Sequence, residues 1–175
     1  MDEAAKKTTL RMIPYGLFVA TVKDGDKMTG AAVNWLTQAS FTPPLVVLGS
    51  KAGTGSTDMI KNSGMFCINV LETGQVPLAS AFFGHVEAEG NELYSPARYD
   101  EKNQREVPRK TASEFTLSPN GLPVLKDALG YFECKVVHTY DKGDHWVFIG
   151  EVVEAGLQRE GEPLTLAETG FKYGG

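Results

Sequence analysis

Cysteine, histidine and long apolar runs are all scarce in this sequence of 175 residues. The two cysteines, Cys67 and Cys134, are far apart and form no C-x-x-C pair. That excludes a disulfide framework and a thiolate metal centre, and each sits in an apolar run that suits a small buried hydrophobe. The three histidines, His85, His138 and His145, show no ligand-like spacing, so no metal site is expected. No apolar run approaches the ~18 residues that a bilayer-spanning helix requires. Residues Met1 to Lys7 lack the apolar centre of a signal peptide, so the expectation is a cytoplasmic protein without membrane association. A basic stripe is missing too. The net charge is −5, and the densest cationic stretch, Lys102 to Lys110, is interleaved with Glu101, Glu106 and a proline. Phosphate-backbone recognition needs clustered cations, so no nucleic-acid partner is expected. The chain also lacks a G-x-S-x-G nucleophile elbow, a Walker motif and a G-x-G-x-x-G fingerprint.

What is present fits one globular domain over residues 1–175, with 42% hydrophobic and 22% charged residues. Glycine is plentiful and dispersed, as in a β-rich chain with many turns. Residues Leu17 to Val22 read as a strand, Asp24-Gly25-Asp26 as a turn and Thr29 to Leu36 as the returning strand. Within that return, Gly30-Ala31-Ala32 is small enough for a flat ligand or another backbone to approach closely. Pro43 and Pro44 end the next element, and Leu45 to Gly49 reads as a buried strand. Helices are expected at about Thr57–Asn62 and Val76–Phe83, with a strand over Phe66–Leu71 between them. From Gly84 to Leu122 periodicity fades, which reads as a long covering or partner-facing connection. A second hairpin follows, Tyr131–Tyr140 and His145–Ala155 around Asp141 to Asp144. The expected fold is mainly β with short helices, a barrel-like sheet.

Two stretches carry chemistry. Ser50, Lys51, Thr54, Gly55, Ser56 and Thr57 supply hydroxyls, amides and a cation within eight positions, the donor set an anionic phosphate needs at a turn and helix start. Taken alone, Gly53-Thr54-Gly55-Ser56-Thr57 is also an ordinary loop and helix cap. Upstream, Asn34, Trp35, Leu36, Thr37 and Gln38 at a strand end offer amides and an aromatic wall for a planar ring. The second stretch is Gly143-Asp144-His145, where a turn histidine beside a carboxylate is exposed and orientable. The residues by themselves lead to a β-rich nucleotide or flavin binder and no further.

These segments resemble the flavin reductase-like family of FMN-binding split barrels, which includes flavoredoxins and the reductase components of two-component monooxygenases. The resemblance rests on Asn34-x-x-x-x-x-Ser40-x-x-Pro43-Pro44, Phe66 to Leu71, Leu78 to Gly84, Gly121 to Leu125, Phe132-Glu133-Cys134 and Gly143-Asp144-His145. It spans about Tyr15 to Leu164 in family order. It implies a six-stranded, Greek-key-like split barrel acting as a homodimer, with FMN (FAD as the alternative) and with NADH or NADPH as electron donor. By position, Asn34, Trp35, Leu36, Thr37, Gln38 and Ser40 would line the flavin ring and ribityl chain. Ser50, Lys51, Ser56 and Thr57 would hold its phosphate, and His145 would meet the nicotinamide as the catalytic-site residue. The function implied is an NAD(P)H-dependent flavin reductase serving a redox partner protein or an oxygenase. The alternative is a flavoredoxin-like electron carrier, favoured by Trp35 as a stacking residue that retains its flavin. A third reading is a barrel that binds another ligand and has no redox role.

Overall fold

A computed structural model describes all 175 residues. The chain begins with helix α1 (Glu3–Leu10), capped by the Asp2 carboxylate, which accepts from the amides of Ala4 and Ala5. The helix buries no side chain. Strands β1 (Phe18–Asp24) and β2 (Lys27–Val33) form the expected hairpin, with Gly25 at positive φ in its turn. Strand β2 stops at Val33, and after Asn34 and Trp35 the chain enters β3 (Leu36–Phe41). The return strand expected to reach Leu36 is therefore two elements.

Strand β3 pairs with β4 (Pro44–Lys51), followed by helix α2 (Gly55–Ser63), β5 (Met65–Val70) and helix α3 (Val76–Ala81). The segment expected to be an irregular connection folds instead into β6 (Glu87–Glu89), β7 (Glu92–Ser95), the ribbon β8 (Arg98–Asp100) and β9 (Arg105–Val107), and β10 (Lys110–Leu117). With β11 (Pro123–Leu125) it builds a second antiparallel sheet, ordered β11-β10-β7-β6. The reading failed because these strands are short and mostly solvated. Leu93 and Phe115 are the apolar anchors buried between polar neighbours. The long hairpin β12 (Gly130–Tyr140) and β13 (His145–Leu157) and the short helix α4 (Leu166–Thr169) complete the fold.

The main sheet has seven strands in the order β2-β1-β5-β12-β13-β4-β3, one more than the six expected, because β3 forms its own edge. Its outer members, β2 and β3, are joined by the two residues Asn34 and Trp35. A flat sheet of seven strands at about 4.8 Å spacing would hold those edges tens of ångströms apart. Two residues reach less than about 11 Å when extended, so the sheet must curl into a barrel whose seam lies at that dipeptide.

Alternation sorts the side chains of β1. Ala20 and Val22 join Leu48, Ile60, Phe66 and Phe148 in one core, while Val19 joins Leu93, Phe115 and Leu125 in the layer facing the second sheet. Inside the first core, Gly150 leaves room for the Phe66 ring and Cys134, since a Cβ there would lie 2.7 Å from Cys134 Cβ. Buried polar groups join the two sheets. Asn69 Oδ1 accepts from the Leu125 amide at 2.8 Å, and Thr21 Oγ1 donates to the Pro123 carbonyl. The fully buried Glu133 carboxylate accepts from Ser118 Oγ and, at 2.7 Å, from Asn120 Nδ2. Losing one partner of such a bond leaves a dry polar group at about 1–3 kcal/mol. No helix is long and apolar enough to cross a membrane.

Candidate functional site: a cleft at the barrel seam

Beside the seam opens a cleft of about 700 Å³. One wall is the outer strand β2 from Thr29 to Val33, where Gly30, Ala31 and Ala32 keep the surface low. The opposite wall is the end of β4 with the first turn of α2. A third side is the turn after α3, Phe82 to Val86, which also covers the free edge of β2. The Phe82 carbonyl accepts from the Ala32 amide at 3.0 Å, and the Val86 carbonyl accepts from Thr29 Oγ1. The remaining side is His145 and the segment Phe171–Tyr173.

Helix α2 begins where the sequence predicts a cap. Thr54 is its N-cap, and Gly64 in the left-handed region ends it. The amides of Gly55 and Ser56 fall in the first turn, where no intrahelical acceptor exists, so that end of the cleft is rich in donors and in positive helix-dipole potential. Lys51 and Ser56 line the cleft beside them. Thr57 does not. Its buried hydroxyl donates to the Lys51 carbonyl at 2.8 Å and is shared with Ser50 Oγ at 2.7 Å and Thr54 Oγ1 at 2.8 Å. That network shapes the turn and leaves Thr57 no free valence.

Of the positions expected at the ring, Asn34 lines the cleft, and its Nδ2 is buried without a hydrogen-bond partner. A dry, unpaired amide donor in a native fold calls for an explanation, and a ligand acceptor supplies one. Trp35 sits beside the cleft rather than in its wall. Its ring covers Gly49, lies 4.3 Å from the His145 ring and 5.4 Å from that of Tyr173, and its Nε1 is also unpartnered. Leu36, Thr37, Gln38 and Ser40 do not line the cleft within one chain, because β3 leaves the seam and runs back along β4 towards Pro44, away from the Gly49–Lys51 end that forms the wall. Leu36 packs against the barrel core, whereas Thr37 Oγ1 and Gln38 Nε2 donate back to carbonyls of their own strand.

His145 is not the solvated tip that its turn suggests, since its side chain is only 13% exposed. Its Nδ1 lies 2.8 Å from Asp144 Oδ1 and its Nε2 lies 2.7 Å from the Tyr173 hydroxyl. An ionised carboxylate only accepts, so Nδ1 carries the proton, and Nε2 of the neutral ring accepts from Tyr173. The bond to His145 holds the Asp144 carboxyl below its usual range. Burial, aided by the Asp144 charge, pushes the Tyr173 hydroxyl up, which keeps it a donor. Sequence reasoning missed Tyr173 and Phe171. The aromatic spacing Phe171-Lys172-Tyr173 was the signal available, but nothing local shows that the segment folds back onto β13.

Ser50, Lys51, Ser56, Asn34 and His145 are thus brought together around a space with an anion-favouring end, an amide donor and a low flat wall. The donor set fits a flavin nucleotide, and a seamed barrel with such a cleft defines a nucleotide-cofactor-binding split barrel. Residues 10–175 match the family model described as flavin reductase like domain. The chain belongs to that family. It is 30% identical over 159 residues to the high molecular weight rubredoxin of Moorella thermoacetica, covering 90% of this chain and 62% of that protein. It is 27% identical over 164 residues to the reductase subunit HsaB of a flavin-dependent monooxygenase from Rhodococcus jostii, covering 94% and 74%. The solved structure of flavin reductase PheA2 in its native state superposes with a TM-score of 0.73 at 25% identity, covering 99% of this chain and 97% of that one.

Proposed function

We propose that the protein is an NAD(P)H-dependent flavin reductase that binds FMN, or FAD, in the seam cleft. The observation that carries this reading is the cleft itself, lined by Asn34 and the low strand β2 on one side and by Lys51, Ser56 and the start of α2 on the other. Lys51, Ser56 and the first amides of α2 hold the phosphate, with Ser50 fixing the turn through Thr57, and Asn34 Nδ2 donates to the polar edge of the ring. Gly30 to Ala32 let one face of the ring lie against β2. Bound flavin supplies the redox chemistry by accepting hydride from the nicotinamide. The protein orients the two rings and excludes water, with His145 Nε2 as the acceptor that fixes the nicotinamide carboxamide and Asp144 setting its tautomer.

The active form on this reading is a homodimer. Val137, Tyr140, Val153 and Leu157 are exposed on the paired strands β12 and β13, and Phe41 is exposed at the end of β3. A second copy would cover this surface, and Thr37, Gln38 and Ser40 lie on β3 with Phe41. The recipient of the electrons is an oxygenase or another redox protein, and the buried free thiols suit a reducing cytoplasm. Trp35, the feature that favoured a permanently loaded electron carrier, lies beside the cleft and not across it. An anaerobic absorption spectrum after FMN addition tests the reading. Bound flavin that bleaches with NADH or NADPH supports it, and a protein that neither binds nor reduces FMN or FAD refutes it.

A further inference from the structure

Residues 170–175 form neither strand nor helix, yet three of them, Phe171, Lys172 and Tyr173, line the cleft. Gly170 and Gly174, both at positive φ, bracket Phe171-Lys172-Tyr173. The ring of Phe171 meets Phe83 edge-on at 5.0 Å across the mouth, and the Tyr173 hydroxyl donates to His145 Nε2. Both aromatic rings remain near half exposed, at 41% and 44%, so the segment is laid over the cleft rather than built into the core. Its far end makes one side-chain hydrogen bond, Arg11 Nε donating to the Gly174 carbonyl at 2.9 Å, and lies beside the Trp35 ring and Lys7.

A primary carboxamide offers an N–H donor of the kind that Tyr173 presents as O–H. The acceptor is the same nitrogen, and its tautomer is already fixed by Asp144. The two donors cannot occupy that nitrogen together. We propose that Phe171–Tyr173 is a lid which fills the nicotinamide position in the resting protein, with the Tyr173 hydroxyl holding the His145 acceptor until the reductant displaces it. This rests on the reductase reading and adds that the reductant binds in competition with the chain's own segment. The glycines at either end allow the swing, and release of the lid exposes Lys172 and the aromatic pair at the mouth.

Binding to a site open only part of the time is weakened by the open fraction. The test measures steady-state flavin reduction with NADH and NADPH for wild type, Tyr173→Phe and Phe171→Ala/Tyr173→Ala. The KM for the nucleotide should fall about three- to fivefold in Tyr173→Phe and about tenfold in the double variant, with kcat no lower than wild type. The ring-retaining Tyr173→Phe guards against a packing effect, and circular dichroism checks the fold of both. A wild type that fails to reduce flavin sinks the reductase reading itself. A wild type that reduces flavin, with KM unchanged or raised in both variants, overturns the lid alone.

Discussion

Ser56 and Thr57 are neighbours in sequence with opposite duties, and removing each hydroxyl in turn separates them. Thr57 Oγ1 is buried, with three oxygen partners at 2.7–2.8 Å, so Thr57→Ala leaves Ser50 Oγ, Thr54 Oγ1 and the Lys51 carbonyl short of a partner. At about 1 kcal/mol per net bond, and with two bonds lost beyond local rearrangement, the cost is about 2 kcal/mol. For a domain of this size that lowers the thermal midpoint by about 4–8 °C. Ser56 Oγ is in the cleft wall, and its sole protein contact is a long one of 3.3 Å to Thr54 Oγ1. Ser56→Ala should therefore leave the midpoint within about 2 °C, because surface substitutions of this kind stay near ±0.5 kcal/mol. It should weaken FMN binding about tenfold or more, through loss of a bond to a charged phosphate. Thermal unfolding of the apoprotein and titration of flavin fluorescence read the two effects independently. A Thr57→Ala protein of unchanged midpoint that loses as much affinity as Ser56→Ala would refute the division, and would turn the Thr57 hydroxyl toward the ligand.

Other consequences are as direct. Gly150→Ala places a methyl within 3 Å of Cys134 and Phe66, so it should destabilise the barrel by about 1–3 kcal/mol in urea unfolding. Burial raises both thiols, Cys134 from an ordinary value of 9.0 to about 12, so neither should react with a thiol reagent at pH 8 until denaturant is added. A raised acid group stays protonated in the folded chain while the unfolded chain loses its proton. Stability is therefore insensitive to these thiols below pH 9 and falls as pH rises from there towards 12, measurable as alkaline displacement of the urea midpoint. Val153→Glu with Leu157→Glu should turn the proposed dimer into a monomer in sedimentation, and a dimeric mass unchanged by the pair would refute this interface. Asn34→Leu should weaken flavin binding without destabilising the apoprotein, because its amide satisfies nothing within the chain.

Much of this arrangement is legible in the sequence because it depends on local rules. The turn at Gly25, the cap at Thr54 and the alternation Val147, Ile149 each state their element without tertiary help. The donor cluster from Ser50 to Thr57 is legible for the same reason, and all of it but Thr57 lines the cleft. What is not legible depends on where a strand goes after it ends. Leu36 to Ser40 look like a continuation of the stretch that borders the cleft, but β3 runs back along β4 away from it, so adjacency in sequence misleads there. The sheet built from residues 84–122 is hidden by strands too short to show a period, anchored through single residues such as Leu93. His145 looks solvated until a tyrosine 28 positions later folds over it.

The two residues that close the barrel also border the cleft, Asn34 in its wall and Trp35 beside it, and this fixes which walls of the cleft are free to vary. Asn34 and Trp35 are part of the barrel's circumference, so any change that lengthens or shortens this link alters the spacing of β2 and β4 together with the pocket between them. The wall supplied by Phe171 to Tyr173 lies outside that circumference, and reshaping it leaves the sheet's closure untouched. Bulkier or charged ligands are therefore best accommodated from the loop side, where loops can lengthen at the modest entropic cost of a longer closure. On the seam side the same atoms set both the shape of the barrel and the grip on what it holds.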